Sequence, residues 1–127
     1  MNEDKQVDLS VAIVDDDPQL VMIYRHLFSY RKVPVFFVAY DGVTALERFR
    51  KADPKPSVFI IDYRMPGMNG IELTKEILEM APGTKIIVIS GDDSVKLNTL
   101  KAGASAFLNK PAGINDIMAS INLLTGR

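Results

Sequence analysis

Apolar positions along this chain fall into two patterns that take turns. Five short runs are apolar with little interruption: "LSVAIV" (Leu9 to Val14), "VPVFFVA" (Val33 to Ala39), "SVFII" (Ser57 to Ile61), "TKIIVIS" (Thr84 to Ser90) and "SAFLN" (Ser105 to Asn109). They are rich in Val, Ile and Phe and do not alternate with polar residues, which predicts strands covered on both faces, as in a parallel sheet. Between the runs the spacing becomes helical. Leu20, Ile23, Tyr24, Leu27 and Phe28 stand at i, i+3, i+4, i+7 and i+8 and predict one apolar stripe. Ile114, Ile117, Met118 and Ile121 repeat that spacing near the C-terminus. Helix start signals fall where this scheme needs them. Asp17 precedes Pro18, a cap followed by proline at the first helical position. Asp41 is placed to cap the second helix, Asn69 with Glu72 forms the pattern of a capping box for the third, and Asp92, Asp93 and Ser94 open the fourth.

Five strand–helix units in a row predict an α/β domain of (βα)5 type. Right-handed crossovers put helices on both faces of a doubly wound parallel sheet. At this length the flavodoxin-like strand order 2-1-3-4-5 is the expected arrangement, since a (βα)8 barrel needs about twice the chain. The 127 residues fit one domain: a polar N-terminal tail over residues 1–8, then a folded domain over 9–127. Phe36, Phe37 and Phe59 are expected in the core, the methionines in packing roles, and His26 on the polar side of the first helix.

Charge and cysteine content narrow the function. Fifteen basic and 16 acidic residues leave a net charge of −1, against a general nucleic-acid binder, which carries a basic excess. The absence of Cys excludes disulfides and thiolate metal sites. No apolar run approaches membrane-span length, and the first residues carry no apolar leader. The expectation is a cytoplasmic protein with no membrane and no direct nucleic-acid contact.

In a parallel sheet all strands end at one edge, where ligands bind. Asp15, Asp16 and Asp17 follow the first run, Asp62 the third, Ser90 closes the fourth, and Lys110 and Pro111 follow the fifth. In the order 2-1-3-4-5 the first and third strands are neighbours, so Asp15 and Asp16 come beside Asp62. Carboxylates gathered at one spot repel, and a hard divalent cation relieves them; an all-oxygen site with room for water suits Mg²⁺. The same set suits phosphoryl transfer, with Asp62 as nucleophile, Lys110 as a cation and Ser90 as a hydroxyl for the phosphoryl oxygens.

The motifs "VDDD", "IIDYRMPGMNG", "IIVISG" and "AFLNKP", in this order and each at a strand end, resemble the receiver domain of bacterial and archaeal response regulators, the CheY-like family, from about Leu9 to Leu124. The resemblance implies that Asp62 is the phosphoacceptor, served by a histidine kinase or phosphotransfer protein. It implies Mg²⁺ ligands from Asp16, Asp62 and the backbone carbonyl of Arg64, with Asp15 acting mostly through water. It also implies a cis Lys110–Pro111 peptide. Ser90 stands where Thr is common and Phe107 where Tyr is common, so Ser90 and Phe107 are the expected switch pair, without a tyrosine hydroxyl. With about seventeen residues after Lys110, the expectation is a stand-alone switch rather than an enzyme. Its only chemistry would be self-catalysed phosphoryl transfer and autodephosphorylation, and it would signal to a downstream protein, or to a second copy, through the face formed by helix 4, strand 5 and helix 5. Arg64, two residues after Asp62, and Asp92, two after Ser90, are expected to rim the mouth and to form an ion pair.

Rival readings fit less well. A haloacid-dehalogenase-like phosphatase wants an acid two residues after its nucleophile, where Arg64 stands. A flavin-binding flavodoxin wants a phosphate loop where three acids stand. A non-phosphorylated receiver-like scaffold has no use for the intact Asp15, Asp16, Asp62, Ser90 and Lys110 set.

Overall fold

The computed structural model describes residues 9–126; the polar tail expected over residues 1–8 lies outside them. Among the described residues, strands and helices alternate: β1 (Val11–Val14), α1 (Pro18–Tyr30), β2 (Val35–Ala39), α2 (Gly42–Lys51), β3 (Val58–Asp62), α3 (Gly70–Met80), β4 (Lys85–Ser90), α4 (Lys96–Lys101), β5 (Ala106–Asn109) and α5 (Ile114–Thr125). All strand pairs are parallel, and the order is β2-β1-β3-β4-β5, as expected. A single 3-10 turn, Asp93–Val95, leads into α4.

The uninterrupted apolar runs are explained by two cores, one on each face of the sheet. Val11, Ile13, Ile60, Ile87 and Ile89 point to one face, against Val21, Tyr24 and Phe28 of α1 and Ile117 and Ile121 of α5. Ala12, Val14, Phe59, Ile61, Ile86 and Val88 point to the other, against Ala45, Leu46 and Phe49 of α2 and Leu73 and Ile77 of α3. Neighbouring strand residues project to opposite faces, so burial on both faces demands an apolar side chain at nearly every position.

The caps of α1, α2 and α3 form as the sequence predicts, whereas Asp92, Asp93 and Ser94 open the 3-10 turn ahead of α4, which itself has no side-chain cap. Asp17 accepts from the amides of Gln19 and Leu20, and Asp41 from Thr44. Asn69 and Glu72 close a reciprocal capping box, at 3.0 and 2.9 Å. The Lys110–Pro111 peptide is cis, and so is Asp53–Pro54.

Other details also differ from expectation. The buried stripe of α1 runs through Val21, Tyr24 and Phe28, while Ile23 is 53% exposed; the helix is rotated so that i, i+3 and i+7 face the sheet. Phe36 is 43% exposed. The register between β1 and β2 jumps from Val11↔Val35 to Ala12↔Phe37, which leaves Phe36 as an extra residue on an edge strand. Met22 on α1 is largely exposed rather than packed. His26 is exposed, as expected. No helix of the described residues is long and apolar enough to cross a membrane.

Candidate functional site

The C-terminal ends of β1, β3, β4 and β5 and the loops after them enclose an open cleft of about 850 Å³, lined by Asp15, Asp16, Asp62, Arg64, Ser90 and Lys110 among others. β3 runs one residue beyond its expected end, so Asp62 is the last strand residue and is 5% exposed. The Tyr63 amide donates to the Ile89 carbonyl at 2.9 Å, and the Gly70 amide to the Tyr63 carbonyl at 2.8 Å. These bonds fold the "MPGMN" turn back over the strand end. A Cβ on Gly70 would stand 2.9 Å from the Tyr63 Cα, so only glycine lets α3 start this close behind Asp62.

Asp15 is buried and continues the line of β1, its amide donating to the Ala39 carbonyl at 3.1 Å. Its Oδ1 accepts from the Asp17 amide at 2.9 Å. Asp17 is turned away to cap α1, which separates it from the pair before it. Asp15, Asp16 and Asp62 each bring a carboxylate oxygen within 4.8 Å of the other two, with Asp16 exposed at the cleft surface. Lys110 reaches in from the β5–α5 loop, its Nζ 2.8 Å from Asp62 Oδ1. Ser90 is buried at the end of β4, and its Oγ accepts from the Asp92 amide at 3.0 Å, leaving the hydroxyl proton free to donate elsewhere. Arg64 and Asp92 face each other across the rim at 3.7 Å, the pair anticipated from their spacing. Phe107 is half-buried on β5 against the α2/α3-side core.

The electrostatics follow from this crowding. Burial pushes the Asp15 carboxyl up to about 6, reinforced by Asp62 and opposed by the Asp17 amide and Lys110. Burial also raises Asp62, against the hydrogen bond and charge of Lys110. At Lys110 burial acts downward, but the bond to Asp62 and the charges of Asp62 and Asp15 hold it above the ordinary lysine value. The two partners' shifts do not mirror each other. Desolvation dominates at the nearly enclosed carboxylate, and the ion pair dominates at the more exposed ammonium. One ammonium therefore faces three carboxylates, an acidic all-oxygen set open to water that fits a hard divalent cation such as Mg²⁺.

Residues 11–122 match the response regulator receiver domain. The chain belongs to that family. It is 33% identical over 114 residues to the chemotaxis protein CheY of Thermotoga maritima, covering 88% of this chain and 93% of CheY. It spans only 54% of the response regulator GacA of Pseudomonas protegens and 21% of a putative two-component regulator of Arabidopsis thaliana. Among solved structures, the receiver domain of a Francisella response regulator superposes with a TM-score of 0.83 at 28% identity, covering 94% of this chain and 98% of that one. The CheX–CheY–BeF₃–Mg²⁺ complex of Borrelia burgdorferi matches with a TM-score of 0.84 at 25% identity, covering 91% and 88%. Receiver domains of this kind are phosphoacceptor switches of two-component systems rather than enzymes; they bind Mg²⁺ at an acidic pocket and work with histidine kinases or phosphotransfer proteins.

The cleft brings together every residue the receiver resemblance assigned to chemistry except Phe107, which lies in the sheet beneath it. Sequence reasoning did not single out Met65, Pro66 or Gly91, which also line the cleft; their signal is only adjacency to a strand end. It also took Tyr24 for an ordinary core residue. A tyrosine inside an apolar helix stripe was the available sign of more.

Proposed function

We propose that this receiver domain accepts a phosphoryl group on Asp62 from a histidine kinase or phosphotransfer protein, in a Mg²⁺-dependent reaction, and signals through the face made by α4, β5 and α5. The observation that carries the reading is a buried carboxylate at a strand end, 2.8 Å from Lys110 Nζ, with two further carboxylates inside 4.8 Å.

An Asp62 carboxylate oxygen attacks phosphorus in line. The new O–P bond forms as the bond from phosphorus to the donor nitrogen breaks, and the electron pair leaves with that nitrogen. Asp15, Asp16 and Asp62, with the Arg64 carbonyl, would hold the metal, which when bound supplies positive charge to the phosphoryl oxygens. Lys110 exchanges its contact with Asp62 for one with a phosphoryl oxygen. Ser90, whose Oγ already holds the Asp92 amide, turns its free proton to another. That movement pulls on the loop from Gly91 to Ser94 that leads into α4, and vacates space into which Phe107 rotates. Exposed Leu97 and Leu100 on α4 and Leu123 on α5 offer apolar surface for the downstream protein, or a second copy of the chain, at that face.

The test is phosphorylation by a small phosphodonor with Mg²⁺, followed by intact mass. Wild type should gain one phosphoryl group and Asp62→Asn none. Equal labelling of the two would refute the reading.

A further inference from the structure

The β5–α5 loop that carries Lys110 is held on both sides of it. Upstream, the Lys110 amide donates to the Ser90 carbonyl at 2.9 Å. Pro111 has no amide hydrogen to give. Downstream, Ala112 precedes Gly113, the cap residue of α5, and the first helical bond of α5 runs from the Ile117 amide to the Gly113 carbonyl. No helical amide therefore reaches the Ala112 carbonyl. Among the described residues its donor is the Tyr24 hydroxyl of α1, at 3.1 Å.

Tyr24 is 5% exposed and sits in the core with Val21, Phe28, Ala112 and Ile117. A phenylalanine would fill the same volume with no polar group to satisfy. A hydroxyl buried here costs free energy unless bonded, and its one bond goes to the loop that aims the lysine. Burial raises the hydroxyl above its ordinary value, with the charges of Asp15 and Asp62 adding and Lys110 opposing, so it stays a neutral donor.

We propose that Tyr24 is a positioning residue: through the Ala112 carbonyl it fixes the segment from which Lys110 reaches Asp62. The inference rests on the reading of Asp62 as phosphoacceptor. Without the hydroxyl, the carbonyl is left unpaired and the loop is held only on the Ser90 side. The lysine ammonium then spends less time at the position where phosphoryl charge develops, and a misplacement of this kind slows chemistry without removing any reacting group.

The experiment measures the phosphorylation rate by acetyl phosphate at saturating Mg²⁺ for the full chain and its variants. Tyr24→Phe should be roughly 5- to 10-fold slower, the loss of one buried hydrogen bond with its carbonyl left unpaired, while calorimetry finds its Mg²⁺ affinity unchanged. The Lys110 ε-methylene resonance should move toward that of solvent-exposed lysines. In a Lys110→Ala background Tyr24→Phe should cause no further loss, because the two act as one unit. Arg31→Ala, which removes a hydrogen bond from the end of α1 to Asn115 beyond the loop, should react at the wild-type rate. A wild-type rate for Tyr24→Phe would overturn the proposal, and so would an equal fold loss with and without Lys110. A wild type that takes no phosphoryl group would overturn the phosphoacceptor reading, and this inference with it.

Discussion

Asp15 is a buried carboxylate whose proton is held up to about pH 6, against 3.8 for an ordinary aspartate. The folded protein thus binds this proton more tightly than the unfolded chain, so without metal its stability should rise as pH falls from 7 through about 6. Asp62, also raised by burial, acts in the same direction. Asp41 and Asp92 are lowered, chiefly by hydrogen bonds from Thr44 and Ser94, so the stability they add is lost only at pH below the ordinary aspartate value. Urea denaturation in chelator should show greater stability at about pH 5.5 than at about pH 7. Saturating Mg²⁺ should remove or reverse the difference, because metal and protons compete for the same oxygens. A metal-free protein that loses stability over that fall in pH would contradict this account of the cluster. At fixed pH, Mg²⁺ at ten times its dissociation constant should add about 1.4 kcal/mol. Asp16→Ala should abolish most of that increment. Asp17→Ala should lower the baseline by about 1 kcal/mol through loss of the α1 cap and keep the increment; equal loss of the increment in both would misplace the metal by one residue. The gathering of Asp15, Asp16 and Asp62 was legible in the sequence because a carboxylate at the end of a buried strand is costly and calls for a partner. Val21 in place of Ile23 was not, since two adjacent stripes of α1 carry similar apolar character and only packing against the sheet chooses between them.

The loops after β3 and β4 work as a pair. Ser90 Oγ holds the Asp92 amide, Asp92 Oδ1 holds the Ser94 amide at 2.9 Å and its hydroxyl at 2.6 Å, and the Asp92 carboxylate faces Arg64. The ion pair is solvent-exposed, so it contributes little to stability. We propose that, set across the rim, it limits water access to Asp62. Arg64→Ala should shorten the phosphoryl lifetime with the melting temperature nearly unchanged, and Asp92→Ala should do the same with some loosening of the turn before α4. An unchanged dephosphorylation rate in both would mean that no gate exists. The strand and helix sequence was readable because apolar period and capping residues agree locally. Phe36 was not, because its exposure comes from the register shift beside β1 and from the edge position of β2, both set by chain topology rather than by neighbours in sequence.

At the scale of the whole molecule, the strand order places four strand ends around one cleft, and the helix behind β4 begins within reach of that cleft. On the proposed route, a phosphoryl group that draws Ser90 inward would bias α4 and β5 together, and a few kcal/mol of differential contact moves such a two-state equilibrium most of the way. Amide chemical shifts with a phosphoryl mimic bound should therefore change across Val95 to Phe107 and into α5. Changes confined to α1 and α2 would sink this route. Strand order and cleft were legible from the alternation of five strands and helices, while the direction of the output rests on side-chain contacts that no period in the sequence encodes. Underlying all of it is the claim that Asp62 itself becomes an acyl phosphate. Borohydride reduction of the phosphorylated chain converts such an aspartyl phosphate to homoserine, which peptide mass spectrometry locates. The account predicts homoserine at position 62, dependent on Mg²⁺ and sharply reduced in Lys110→Ala. Phosphate found on Ser90, or homoserine at any other aspartate, would contradict it.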